Sequence, residues 1–97
     1  MANSGDELEA DQATARKHFK IMQFVMECGL KLHLRSVTLA TASILYHKFF
    51  QNCSLDEYDP YLIATAAIYL AGKVEEQHLK VRDVVNVCYR NAKTPDP

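Results

Sequence analysis

The pattern of apolar and polar positions predicts four helices, of which the third is the most uniformly apolar. No charged residue lies between Tyr61 and Gly72, and at about 3.6 residues per turn every face of this helix is apolar or small. Such a helix is central in a bundle or spans a membrane, but this run is shorter than the roughly 20 residues that a span needs. We therefore predict a buried central helix, a structural hub, and its small residues predict that neighbouring helices approach closely. The hub positions are Leu62, Ile63, Ala67, Tyr69 and Gly72.

Local signals place the ends of the hub helix and of the second helix. Pro60 suits the first helical position, where its missing N–H costs nothing, and Asp59 or Asp56 can cap the free backbone donors. Ser36 is the predicted N-cap of the second helix, which continues to about Gln51. The polar residues between these two helices, 52–59, predict a surface loop.

Apolar periodicity predicts the first and fourth helices. The first runs from a cap at Asp11 or Thr14 to Cys28 or Gly29, with Gly29 as a left-handed stop. The fourth runs from about Lys80 to Tyr89. The apolar stripe of the fourth helix consists of Val81, Val84, Val85 and Cys88. The predicted fold class is all-α, with a flexible acidic tail over residues 1–12, one domain over 13–90 and a proline-containing tail over 91–97.

The composition narrows the function without identifying it. The 97 residues carry a net charge of −1, which predicts no basic surface for nucleic acid or for an anionic membrane. Cys28, Cys53 and Cys88 are odd in number and widely spaced, as is typical of reduced thiols in a cytosolic or nuclear protein. The N-terminus is acidic and no apolar segment of a signal peptide follows, so we expect a soluble, intracellular protein.

No arrangement of side chains predicts catalysis, metal binding or a small-molecule site. His33, His47 and His78 lack the spacing of metal ligands, and there is no glycine-rich phosphate loop. Glu75 and Glu76 would make an acid–base pair, but at an exposed helix end we interpret them as a solvated rim. We expect no cofactor, no metal and no small-molecule ligand.

The pattern alone leaves the role of Lys73 open. It lies about one turn beyond Tyr69 on an apolar row of the hub helix and precedes Val74 and two glutamates. A lysine at a helix C-terminus is commonly a surface residue whose stem covers apolar atoms and whose charge suits the helix dipole. The alternative is a lysine that contacts another molecule.

The residues around Lys73 resemble the signature of the third helix of a cyclin box. The run Tyr69–Glu76 contains leucine, alanine, a small residue, lysine, an apolar residue and two glutamates in the order characteristic of that helix. Upstream, the run Tyr46–Phe50 is similar to the aromatic, basic end of the family's second helix. Residues 15–90 resemble the first four helices of an N-terminal cyclin box, which implies a partial box without its last helix. Within the family, the chain is most similar to the transcription-associated branch.

The resemblance implies a regulatory subunit that binds and activates a cyclin-dependent protein kinase and does no chemistry itself. In the family, the third and fifth helices hold the mobile helix of the kinase, and the family's lysine, here Lys73, bonds kinase backbone carbonyls. Leu70, Val74 and Glu76 occupy the surrounding positions and are the expected apolar and polar parts of the same contact. The fifth-helix glutamate that works with this lysine has no counterpart before Pro97. The implied location is the nucleus and cytoplasm.

Two sets of positions depart from the pattern of cell-cycle cyclins. Where those proteins bury an arginine against an aspartate, this chain has His18 and His47, so that salt bridge is absent or replaced. The positions of the family's substrate-docking patch hold Lys17, Ile21 and Phe24 in place of methionine, leucine and tryptophan. These substitutions argue against substrate recruitment by that patch.

Two alternatives stay open at this point. One is a truncated form that binds its kinase weakly or does not activate it, and the other is a cyclin-fold module that binds nucleic acid as a general transcription factor does. The charge balance argues against the second, because nucleic-acid binding needs a net basic face. We accordingly expect a kinase as partner and no nucleic acid, membrane or small molecule.

Overall fold

The computed structural model describes residues 4–93, and the side chains of residues 12–93. This part of the chain forms four α-helices and contains no β-strand. The helices are α1 (Ser4–Lys31), α2 (Ser36–Asn52), α3 (Pro60–Val74) and α4 (Val81–Lys93). The predicted fold class and helix order are therefore confirmed. Residues 1–3 and 94–97 lie outside the described residues, as do the parts of the two predicted tails that fall there.

The first and last helices are longer than the sequence pattern predicted. α1 begins at Ser4 rather than at the predicted cap, Asp11 or Thr14, because residues 4–10 combine good helix formers with acidic residues that suit a helix N-terminus. α4 continues past the predicted end at Tyr89 to Lys93. Residues 90–93 contain no glycine or proline and bring basic side chains to the negative end of the helix, so nothing local ends it earlier.

The start of α3 agrees with its sequence signals, whereas the start of α2 does not. Asp59 is the N-cap of α3, where its carboxylate accepts a hydrogen bond from the Tyr61 amide at 3.0 Å and Pro60 takes the first helical position. The N-cap of α2 is Arg35, which makes no side-chain capping bond, and Ser36 is already helical. The Ser36 prediction is therefore wrong, because a side chain from a distant part of the chain sets this helix start.

The left-handed residue that follows α1 is a histidine, not the glycine predicted as its stop. His33 has a φ of 57°, and the next amide, that of Leu34, donates to the Gly29 carbonyl at 2.9 Å. A left-handed residue followed by a bond five residues back is the Schellman motif. Gly29 itself lies within the helix and serves a close approach, because a Cβ added there would overlap the Leu39 side chain of α2.

The hydrophobic core lies against one face of α3. That face consists of small or moderate side chains, and the other three helices cover it with larger ones. The buried residues of α3 are Ala64, Ala67, Ile68, Ala71 and Gly72. Opposite them, the core contains Ile21, Phe24, Val25 and Cys28 of α1, Ala42 and Tyr46 of α2, and Val84 and Cys88 of α4.

Only one side of α3 is buried, so the prediction of a buried central helix holds for part of its surface. Of the predicted hub residues, Ala67 and Gly72 are buried and Ile63 and Tyr69 are partly buried, but Leu62 is 65% exposed. The reason is geometric. The described part of the chain has three helices beside α3, and none of them lies over the face that carries Leu62.

An aromatic cluster joins α1 to α2 at the positions of the missing salt bridge. A 2.9 Å hydrogen bond joins His18 Nδ1 to the hydroxyl of Tyr46, whose side chain is fully buried. The rings of His18 and His47 meet edge to face at 5.9 Å, and Phe50 packs against both His18 and Tyr46. Ring packing and one hydrogen bond therefore join α1 to α2 where the resemblance to cyclins led us to look for an ion pair.

α4 is held to α1 through a cysteine and an asparagine. Asn91 donates its amide hydrogen to Cys28 Sγ at 3.3 Å and accepts a hydrogen bond from the Lys31 ammonium. Cys28 and Cys88 are buried free thiols in mutual contact across the two helices. The hydrogen bond with Cys88 and burial raise the pKa of the Cys28 thiol above its usual range, which keeps it protonated and weakly reactive.

Candidate functional site

The four predicted contact residues come together on exposed surface at the C-terminal end of α3. Leu70 and Val74 are 48% and 57% exposed, and Lys73 and Glu76 are exposed beside them, so the four residues form one exposed, partly apolar patch. Lys73 and Val74 come three and four residues after Leu70, so both are neighbours of Leu70 on the helix surface. We call these four residues the Lys73 patch.

Lys73 extends from this end of α3 over an aromatic ring. Its ammonium lies 5.1 Å from the centroid of the Tyr69 ring, one turn earlier on the helix. That separation is within the range of a cation–π interaction, and the negative end of the helix dipole adds to it. Both effects hold the charge at the helix end while leaving it accessible to solvent.

An open groove of about 450 Å³ begins at Lys73 and follows the chain beyond the helix. Its walls combine one aromatic ring, two charged side chains and the polar turn after α3. The lining residues are Tyr69, Gly72, Lys73, Glu76, Gln77, His78 and Leu79. The groove is mixed in polarity and open to solvent, as a surface for another protein chain would be.

The backbone fixes the direction in which Glu76 leaves the helix. Glu76 has a φ of 57°, its amide donates to the Lys73 carbonyl at 3.2 Å, and the Gln77 amide donates to the Gly72 carbonyl at 2.8 Å. These bonds form a second Schellman motif. Gly72 has close neighbours here, because an added Cβ would lie 2.5 Å from Leu79 Cδ1. The close approach at Gly72 is therefore made by the segment after α3, not by another helix as predicted.

The residues on either side of Glu76 turn inward, and no local pattern in the sequence marks them. Glu75 accepts a hydrogen bond from the Thr41 hydroxyl at 2.7 Å, and Arg35 Nη2 donates to its carbonyl at 2.6 Å. The interpretation of both glutamates as a solvated rim is thus wrong for Glu75, which is partly buried, while Glu76 is exposed. The side chain of Gln77 is likewise hydrogen-bonded to residues at the start of α2.

A second apolar surface lies between α3 and α4. Two adjoining grooves, of about 210 and 230 Å³, share Leu62, Thr65 and Val85. Val85 is 49% exposed and Val81, at one end, is 55% exposed. The predicted stripe of α4 is therefore buried only at Val84 and Cys88. We call this surface the α3–α4 groove.

The positions that match the family's substrate-docking patch are mostly internal. Ile21 and Phe24 are 2% and 6% exposed and belong to the core, and only Lys17 reaches solvent. A groove of about 260 Å³ remains there, with Lys17 and Lys20 beside Leu55, Pro60 and Tyr61. Its two lysines distinguish it from an apolar docking patch.

The described residues form neither a metal site nor a membrane-spanning helix. Among residues 12–93, no three histidine, cysteine or acidic side chains come together in a way that could hold a metal ion. Over the helices of residues 4–93, none is both long and apolar enough to cross a membrane. What these residues do form is an exposed, partly apolar surface around one lysine.

The comparison with known proteins gives the class of this four-helix domain with its lysine-centred surface. The chain belongs to the cyclin family, because it matches the family described as Cyclin, N-terminal domain, over residues 4–96.

Named relatives are cyclins from animals, fungi and plants. The chain is 38% identical to Cyclin-L1 of Xenopus laevis over 80 residues, which is 77% of this chain and 16% of that protein. It is 38% identical to Cyclin pch1 of Schizosaccharomyces pombe over 87 residues, or 90% and 25% of the two chains. With Cyclin-T1-5 of Arabidopsis thaliana the identity is 40% over 74 residues, or 76% and 13%. The chain thus spans a quarter or less of these relatives, and no solved structure is significantly similar to it.

Proposed function

We propose that this protein is a regulatory cyclin that binds a cyclin-dependent protein kinase through the Lys73 patch. The supporting observation is that Lys73, at the position of the family's kinase-binding lysine, is exposed and flanked by exposed Leu70 and Val74. The match to the cyclin family over residues 4–96 supports equating Lys73 with that lysine. In this proposal the kinase does the chemistry and the cyclin supplies only a binding surface.

The patch has the chemistry that such a contact requires. The Lys73 ammonium offers three donors to backbone carbonyls at the end of a kinase helix, where carbonyl groups lack partners. Leu70 and Val74 would lose solvent contact on binding and contribute apolar burial. Glu76 would face a basic or amide group of the kinase at the rim of the interface.

We further propose that the chain is a cyclin of the transcription-associated branch, of the type called cyclin M or cyclin Q. The support is the resemblance of the runs Tyr46–Phe50, Tyr58–Ala64 and Ile68–Leu79 to that type. Similarity to Cyclin-L1 and Cyclin-T1-5 is compatible with this branch. On this proposal the protein acts in the nucleus and cytoplasm, in transcription and cell-cycle control.

The test is binding of the full chain to purified cyclin-dependent kinases, with Lys73→Ala as the main variant. We expect Lys73→Ala to lose about 2–5 kcal/mol of binding free energy, because kinase carbonyls would be desolvated without a donor. Lys73→Arg should lose part of it, since a planar guanidinium does not replace a compact ammonium. Lys48→Ala, which removes an exposed lysine of α2, is the matched control and should bind like the parent.

Thermal melts and a kinase assay complete the test. Lys73→Ala should melt like the parent, because the side chain is exposed and its removal disturbs little packing. If Lys73→Ala melts like the parent and also binds and activates the kinase equally well, Lys73 is only a surface residue and the proposal is wrong. Binding without stimulation of peptide phosphorylation would instead identify the alternative of a form that does not activate its kinase.

A further inference from the structure

The side chain of Gln77, which follows α3, reaches three separate groups at the end of α1 and the start of α2. Its Oε1 accepts hydrogen bonds from the Arg35 amide at 3.1 Å and from the Thr38 hydroxyl at 2.7 Å. Its Nε2 donates to the His33 carbonyl at 2.9 Å. The partners are 39 to 44 residues away in the sequence. These bonds therefore join the end of α3 to the end of α1 and the start of α2.

Only a carboxamide of this length satisfies all three groups. Thr38 is fully buried, so its hydroxyl would lose its hydrogen-bond acceptor if Gln77 were apolar. The amide of Arg35, the N-cap of α2, donates to Gln77 Oε1 and would lose this acceptor, because the first amides of a helix have no partner within the helix. A glutamate would keep both acceptor bonds but could not donate to the His33 carbonyl.

The position of Gln77 couples this link to the Lys73 patch. Its backbone amide bonds the carbonyl of Gly72, which directly precedes Lys73, while its side chain is tied to the α1–α2 connection. Glu75 is tied to Thr41 and Arg35 in the same direction. Exposed Glu76 is therefore held between two residues whose side chains are anchored on the opposite side of the turn.

We propose that Gln77 is a positioning residue for kinase binding, which fixes Lys73 and Glu76 in the orientation that the kinase contacts. The inference rests on the proposed function. It differs from a general contribution to stability because Gln77 acts on the partner through Lys73 and Glu76, without needing to touch the partner itself. Loss of the three side-chain hydrogen bonds would leave α3 helical. Lys73 in its last turn and Glu76 just after it would, however, no longer be held in one orientation.

The test is a double-mutant cycle in the full chain, with the dissociation constant for the kinase as readout. Gln77→Met keeps the length of the side chain and removes its polar atoms, and we expect it to weaken binding about tenfold, the effect of about 1.4 kcal/mol. Against a Lys73→Ala/Glu76→Ala background, Gln77→Met should change the dissociation constant by no more than about twofold, because both residues through which it acts are gone. A merely structural role would weaken binding equally in both backgrounds.

Tyr46→Phe is the matched control for lost stability. It removes the hydrogen bond between His18 of α1 and Tyr46 of α2 and leaves the hydrogen bonds of Thr38 and Thr41 in place. The dissociation constant of Tyr46→Phe should stay within about twofold of the parent at a temperature where both are folded. If Gln77→Met does not fold, Gln77→Glu replaces it in the cycle, since it keeps the acceptors for Arg35 and Thr38.

The possible outcomes separate the two proposals. If the parent binds no kinase, the proposed function fails and the role of Gln77 fails with it. If the parent binds, Lys73→Ala does not, and Gln77→Met binds like the parent, the proposed function stands and the positioning role is wrong. Additive effects of Gln77→Met and the Lys73→Ala/Glu76→Ala pair would also overturn the positioning role, while a coupled loss supports it.

Discussion

The two long sides of α3 are both apolar, yet one is core and the other is open surface. The inner side carries Ala64, Ala67 and Ala71, with Ile68 as its one large residue, and is at most 6% exposed. On the outer side, Leu62 is 65% exposed although leucine is more hydrophobic than alanine. The difference shows that hydrophobicity alone does not decide which face of α3 the other helices of this domain cover. The large apolar residues that stay exposed are the ones that the surface of another protein can contact.

The largest effect that we expect from this contrast is a low free energy of unfolding for the chain as a whole. Leaving several large side chains of the α3–α4 groove in water forgoes several kcal/mol at about 25 cal/mol per Å². A domain has only about 5–15 kcal/mol of total stability. We therefore expect a marginally stable chain with a low thermal midpoint, measured by circular dichroism. A cooperative melt well above body temperature would show that the exposure of these side chains costs little stability.

Truncation of one large residue on each side would compare the two sides directly. Ile68 is fully buried, so Ile68→Ala should lower the free energy of unfolding by about 2–5 kcal/mol, through lost burial and the cavity left behind. Leu62→Ala, on the exposed side, should lower it by no more than about 0.5 kcal/mol. Urea denaturation measures both. Similar losses for the two variants would mean that the sides do not differ as described.

Enlargement of a small inner residue should have a somewhat weaker effect. Ala67→Leu adds a branched side chain where the helices already touch, and we expect it to destabilise the fold by about 1–3 kcal/mol. Ala40→Leu makes the same change on the exposed face of α2 and should alter stability little. A stable Ala67→Leu variant would contradict close packing on the inner side.

The smallest predicted effect concerns pH and the joint between α1 and α2. Burial, together with the nearby His47 charge, lowers the pKa of His18 below its usual 6.5, so the folded state favours the neutral ring. The unfolded chain then binds a proton more readily, and stability should fall as the pH drops below 6.5 until the lower folded pKa is passed. Melts at pH 7.5 and 5.5 should show a smaller loss for His18→Gln than for the parent. Equal losses would exclude His18 as the cause.

Signals carried by adjacent residues predicted the fold well. Asp59 and Pro60 start α3 as expected, because both act on backbone groups within two residues of themselves. The grouping of the Lys73 patch follows from the same kind of local signal, since Leu70, Lys73 and Val74 are neighbours on α3 and Glu76 comes just after the helix. Its kinase partner stays a prediction.

Features set by distant contacts were missed, and Gln77 is the clearest case. It lies in the polar run 75–78, where nothing local separates a residue bonded across the domain from a solvated one. Gly29 was misassigned for a related reason. The glycine is required by the Leu39 side chain of another helix, and the left-handed residue is His33. Both outcomes depend on how α1 and α2 meet, which no short stretch of sequence specifies.

The buried Tyr46 ring gives the protein an optical signal of its own. The chain has no tryptophan, so its five tyrosines carry the near-ultraviolet spectrum, and Tyr46 is the fully buried one among the rings of His18, His47 and Phe50. Near-ultraviolet dichroism should therefore follow the contact between α1 and α2, separately from the far-ultraviolet signal of the helices. Burial, more than the nearby Tyr61 hydroxyl, raises the pKa of Tyr46 from 10.0 to about 12. Its phenolate absorbance should consequently rise as alkali unfolds the domain between these two pKa values, because only the unfolded chain ionises this hydroxyl readily.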